Sequence, residues 1–164
     1  MGRRATGKAP QSSERWLQCA VRYLARFDRT TAQVERFLVS KGASPSEARH
    51  AIDRLSNLRY LDDLAYARRW VETRLVRRPM GRERLRAELS AKGVAEALAD
   101  EAIREVLHVM DEEALARLAL RSYERKGRRI LPGQAAQHLR RRGFEEDTIE
   151  RIIRGSTDIE GRDA

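Results

Sequence analysis

The chain has one cysteine, Cys19, in 164 residues. No intrachain disulfide is possible, which suits a reducing compartment and gives the expectation of a cytoplasmic protein. Cys19 lies on an apolar helical face, which marks it as a packed thiol and not a nucleophile. Aromatic residues make up 5 % of the chain and prolines number four. No apolar run approaches the ~20 residues of a membrane span. The opening Met1-Gly2-Arg3-Arg4-Ala5-Thr6 has no apolar segment behind its charges, so it is not read as a secretory signal. It fits the loose N-myristoylation pattern, but a disordered basic arm explains it better. The histidines, His50, His108 and His138, have no metal-ligand spacing, so no metal site is expected. Phosphate-cradling glycine loops, serine elbows and Cys–His arrangements are missing too, so we expect neither an enzyme nor a cofactor.

Charge, by contrast, is plentiful. Charged residues reach 36 %, with 34 Lys+Arg against 25 Asp+Glu and a net charge of +9. A chain with 41 % apolar and 36 % charged residues builds a thin or divided core around short elements. The basic balance points to a polyanionic partner.

Apolar residues recur three and four apart, as in Leu17, Ala20, Val21 and Leu24, or Ala48, Ala51, Ile52 and Leu55, and no segment alternates as a strand would. The expected fold is all-α. An internal repeat organises it. Val34, Leu85 and Ala135 are separated by 51 and 50 residues, and Leu38, Leu89 and Leu139 keep that spacing. So do Gly42, Gly93 and Gly143, each preceded by a basic residue, and so do Ile52, Ile103 and Ile153. Each copy reads helix A, helix B, glycine, helix C, the glycine ending helix B in the left-handed conformation. In the first copy Ser44-Pro45-Ser46-Glu47 starts helix C as a capping box with proline at the first helical position. We therefore expect three tandem three-helix repeats over residues 14–63, 64–112 and 113–154, stacked in an elongated, curved array. Residues 1–13 read as a flexible basic tail and 155–164 as a flexible acidic one. Met110-Asp111 is the expected break between the second and third copies.

The charge is segregated along the chain. Residues 64–94 carry nine basic and three acidic residues, and 121–142 carry eight basic and one acidic. Residues 95–113 and 143–164 carry an acidic excess. Helices A and B of the later copies are thus basic and their C helices acidic, which predicts one positive and one negative side. A positive stripe would meet a phosphate backbone with counterion release. For any single arginine a solvated face is the better reading; the two blocks together favour polyanion contact.

Tyr60-Leu61-Asp62-Asp63 carries paired carboxylates that could hold Mg²⁺ for a nuclease, but capping of the helix that opens the second copy is the better reading. Tyr66 and Trp70 could stack bases, yet share a face suited to a core or seam. The Gly42 turn with the helices around it resembles a helix-turn-helix, against which stand the acidic C helices of the later copies.

Three segments carry a family resemblance: Tyr60 to Arg74 (YLDDLAYARRWVETR), Gly81 to Val94 (GRERLRAELSAKGV), and Leu139 to Phe144 (LRRRGF). Ala20 to Leu24 and Val34 to Gly42 also match. These segments resemble the RecX family of bacterial recombination regulators. Arg59 departs from the glycine usual there. The resemblance implies a non-enzymatic, cytoplasmic regulator, a monomer that binds the RecA–single-stranded DNA filament and inhibits ATP turnover and strand exchange by groove binding or end capping. It thereby implies a role in DNA repair, homologous recombination and the SOS response, with weak binding to DNA, single-stranded first and double-stranded second. A general basic DNA-binding protein that competes for DNA is the alternative. Candidate filament or DNA contacts are Arg77, Arg78, Arg82, Arg84, Arg86, Lys92, Arg140, Arg141 and Arg142. Of these, Arg82 and Arg86, four apart and away from Leu85 and Leu89, are expected to be free for a partner. Tyr60, Asp62, Asp63, Tyr66, Trp70, Gly93 and Gly143 are the expected structural motif.

Overall fold

The computed structural model describes residues 9–124 and 131–160, and every element of regular structure among them is a helix. The order is α1 (Ala9–Leu24), α2 (Thr31–Ser40), α3 (Pro45–Asn57), α4 (Asp63–Arg77), α5 (Arg82–Ala91), α6 (Glu96–Val109), α7 (Glu112–Glu124), α8 (Pro132–Arg141) and α9 (Glu146–Glu160). These helices are three successive A-B-C sets, as the repeat requires. None is long and apolar enough to cross a membrane.

Helix reaches into both segments read as tails, which corrects those boundaries for residues 9–13 and 155–160. Pro10 sits in the first turn of α1, where its missing N–H leaves no bond unmade. Gly155 lies within α9, where a Cβ would meet nothing within 4 Å. Residues 1–8 and 161–164 lie outside the described residues, as does part of the 121–142 basic block, at 125–130. The break after α6 falls where it is expected: Met110 is extended, with φ −104° and ψ 105°.

The chain divides into two compact units. One comprises residues 1–66 with Lys92–Val94, and the other residues 67–91 with 95–164. In the first, α1, α2 and α3 pack on one another. Trp16, Leu17, Ala20, Val34, Leu38, Ala51, Leu55 and Leu61 form the core there, with Cys19 half-buried against it. In the second, α5 packs on α6, and α7, α8 and α9 pack together. Leu75, Leu85, Leu89, Ile103, Leu139 and Ile149 are its largest closed-off side chains. Each fully buried Leu or Ile contributes about 1.5–3 kcal/mol. Repeat-equivalent Leu38, Leu89 and Leu139 are all fully buried. In the third copy Ile152 is buried and Ile153 half-buried, so the last repeat position is looser there.

The three repeat glycines all adopt positive φ, at 97°, 83° and 77° for Gly42, Gly93 and Gly143. After two of them the next amide reaches back to the final turn of helix B, Ala43 N–H to Leu38 O at 3.1 Å and Phe144 N–H to Leu139 O at 3.2 Å. The residue after each glycine, Ala43, Val94 or Phe144, is buried. This is the Schellman arrangement with its apolar anchor. Arg59 shares the left-handed region at φ 60° without being glycine.

Each later glycine turn seats on the start of the preceding copy's helix B. The Thr30 hydroxyl donates to the Lys92 carbonyl at 2.7 Å. One copy on, the Gly81 N–H donates to the Arg142 carbonyl at 2.9 Å, and the Glu83 N–H to the Gly143 carbonyl at 3.1 Å. The approach at Gly81 is so close that a Cβ there would stand 2.2 Å from the Gly143 oxygen.

Candidate nucleic-acid and partner interface

The helices around the basic blocks draw their caps from near and far. In α2, Thr30 and Gln33 form a capping box. The Asp63 carboxylate also accepts from the Thr31 N–H at 2.8 Å and its hydroxyl at 3.1 Å. Asp62 accepts from the Ala65 N–H at 2.9 Å and caps α4. The paired carboxylates thus face two different helix ends. Asp63 stabilises α2, a partner that sequence spacing does not reveal. No cluster of three metal-ligating side chains exists among the described residues. Tyr66 is buried, and burial together with the nearby Asp28 carboxylate pushes its phenol above the ordinary value. Trp70 is half-buried, with the Arg74 guanidinium 5.9 Å from its ring centre. Tyr60 is 59 % exposed.

The arginines divide into two sets. Arg82 pairs with Glu112 at 3.6 Å and Glu145 at 3.3 Å. Arg86 donates to Asp100 at 2.6 Å and lies 4.0 Å from Glu83. The hydrogen bond to Asp100 raises the Arg86 pKa above its ordinary value. Neither side chain is free for a partner, which corrects the expectation drawn from their shared face. Lying away from Leu85 and Leu89 points them toward the acidic residues that follow each basic block, not into solvent. Arg68–Glu105 is a further pair between a basic helix and the acidic helix α6. The segregation of charge along the chain is therefore partly cancelled in space by these pairs.

Arg84 and Arg74 share one carboxylate, Glu88, at 2.9 and 3.0 Å. Burial pushes the Glu88 carboxyl up, but the hydrogen bonds from Arg74 and Arg84 outweigh it and hold it below the usual range. Arg140 pairs with Glu146. Lys92 is half-buried, and its carbonyl holds Thr30. Arg77, Arg78 and Arg141 are exposed and have no carboxylate partner among the described residues. Arg142 is half-buried and donates to the Pro79 carbonyl at 2.9 Å.

Four of these guanidiniums converge. Arg78, Arg84, Arg141 and Arg142 line one cavity with Met80, Glu88 and His138. Burial and the facing Arg78 lower the Arg142 pKa. Burial and then Arg142 lower the His138 pKa below its ordinary value. Its Nε2 is closed off without a partner, and the Tyr123 ring packs at 4.6 Å from its own. The sequence singles out the arginines, whereas Met80, Glu88 and His138 join them only through packing. The legible signal was the equal 14-residue spacing of Arg74–Glu88 and Arg86–Asp100, which ties each basic helix to an acid on the next.

Comparison with known proteins gives the chain relatives along most of its length. Family models for the first and second three-helix domains of RecX match residues 17–55 and 62–103. Regulatory protein RecX of Thermus thermophilus is 39 % identical over 128 residues, 78 % of this chain and 82 % of its own. Regulatory protein RecX of Prosthecochloris aestuarii is 30 % identical over 139 residues, covering 84 % of this chain and 90 % of its own. The crystal structure of RecX from Lactobacillus salivarius superposes with a TM-score of 0.74 at 24 % identity, over 88 % of this chain and 96 % of that one, and so shares the fold. On the two domain matches and these relatives, the chain belongs to the RecX family of regulatory proteins.

Proposed function

We propose that this protein regulates a RecA-type recombinase by binding its filament on single-stranded DNA, lowering ATP turnover and strand exchange by lying in the filament groove or capping its end. Membership of the RecX family carries this reading. The set of arginines without carboxylate partners, Arg77, Arg78 and Arg141, supports it, since a filament of protein and DNA offers phosphates to such groups. The protein acts as a monomer, without catalysis of its own, and its place is the cytoplasm. The test is ATP hydrolysis by preformed RecA filaments on single-stranded DNA, with this protein titrated in below stoichiometry. The expected outcome is loss of turnover that excess free DNA does not restore. Loss fully reversed by free DNA would instead favour plain competition for DNA, the second reading that the same arginines support.

A further inference from the structure

Arg78, Arg141 and Arg142, which have no carboxylate partner among the described residues, meet the Glu88-paired Arg84 at a cavity of about 270 Å³. Two are held in place: Arg142 by the Pro79 carbonyl at 2.9 Å, and Arg84 by Glu88 at 2.9 Å. Two more, Arg78 and Arg141, reach the same cavity with no carboxylate among the described residues to pair with. The single acid of the wall, Glu88, is already divided between Arg74 and Arg84. Four cations thus face one shared anion. The repeat architecture does not demand this. The positions equivalent to Arg78, Arg84 and Glu88 in the first copy are Phe27, Gln33 and Phe37, 51 residues earlier. There Phe37 stacks on Tyr23 at 3.9 Å and Gln33 serves the helix cap. The second copy has exchanged an aromatic cluster for a cationic hollow.

We propose that this cavity holds a backbone phosphate of single-stranded nucleic acid. Guanidinium forks match phosphate oxygens in geometry, and converging arginines meet a tetrahedral anion better than a single carboxylate does. The buried Met80 gives the wall an apolar portion that a sugar can face. The inference rests on the filament reading, which brings single-stranded DNA within reach.

The test uses the full chain without recombinase, and binding of a labelled oligothymidylate is followed by fluorescence anisotropy. Arg78→Glu with Arg141→Glu should weaken binding by about tenfold or more and reduce the salt slope by about two, with unchanged circular dichroism. Arg22→Glu with Arg49→Glu makes the same charge change at exposed positions on α1 and α3, and should weaken binding by no more than about threefold. Equal losses in the two double variants would overturn the proposal in favour of diffuse attraction. Should the reversal variant not fold, Arg78→Ala with Arg141→Ala reads the same difference. Oligothymidylate should also shift the His138 ring resonances. A shift with inorganic phosphate but none with oligothymidylate would mark a free-anion site and overturn the nucleic-acid assignment. Because no recombinase is present, a chain that binds DNA through the cavity yet fails to slow RecA keeps this inference and loses the regulatory one.

Discussion

The entrance to helix B is built twice from the same backbone and finished with different chemistry. In the first copy the helix caps itself through Thr30 and Gln33, and Phe27, Tyr23 and Phe37 close the space beside it, with Arg29 4.8 Å from the Phe27 ring centre. In the second, glycine replaces the capping threonine, and arginines surround an open cavity. The joint between turn and helix survives the exchange because main-chain atoms make most of it. The space beside the joint is left open to specialise.

Substitutions at equivalent positions break this comparison at its strongest point first. Gly81→Ala pushes a Cβ into Gly143 and Phe144 backbone, with no flexible atom able to yield. We expect a loss of about 3 kcal/mol, read by urea unfolding. Thr30→Val, at the matching position, keeps the shape but strips the hydroxyl from both the Gln33 N–H and the Lys92 carbonyl. Its cost should be about 2 kcal/mol, by the same measurement. Charge reversal at Arg82 would set a carboxylate beside Glu112 and Glu145. A loss of about 1 kcal/mol is expected, shrinking in high salt. An unchanged midpoint would return Arg82 to the candidate contacts.

Two smaller effects sharpen the picture. Arg59 occupies the left-handed region, while its repeat equivalent Met110 is extended. Arg59→Gly should therefore stabilise the protein by about 0.5–1 kcal/mol, seen as a higher melting temperature. Last, burial and then Arg142, Arg141 and Arg78 lower the His138 pKa, with a hydrogen bond to the Ala119 backbone opposing them. Its folded pKa lies below the ordinary 6.5, so the unfolded chain takes up the proton first. Stability is then complete above about pH 6.5 and falls as the pH drops from there toward the folded value. His138→Gln should flatten thermal midpoints over that interval, and an unaltered slope would assign it to other groups.

Much of the fold was legible because its rules are local and periodic. Leu38, Leu89 and Leu139 announced the buried face, and Gly42, Gly93 and Gly143 the left-handed turns. Ser44 and Glu47 form the capping box that their spacing specifies, with Ser44 N–H donating to Glu47 at 2.9 Å. The interface was less legible, because ion pairing is decided across helices. Arg82 and Arg86 share a helical face with no apolar residue, which fixes their direction but not what stands opposite. Asp63 likewise looked like a cap for its own helix, and serves α2, 32 residues away in sequence. Composition revealed an excess of arginine, and only packing separated the neutralised ones from those left over.

The carbonyls of Arg142 and Gly143 give α5 the acceptors that its own sequence omits. A ribosome delivers Gly81 and Glu83 some sixty residues before that acceptor pair emerges. The first copy's helix B leaves the tunnel with Thr30 and Gln33 already in hand, whereas the second must wait with its leading amides in water. Synthesis thus imposes an order of completion, in which the middle of the chain is finished from behind by its last third. A chain cut before Arg142 would contain every residue of the second copy and still lack the means to begin α5 properly.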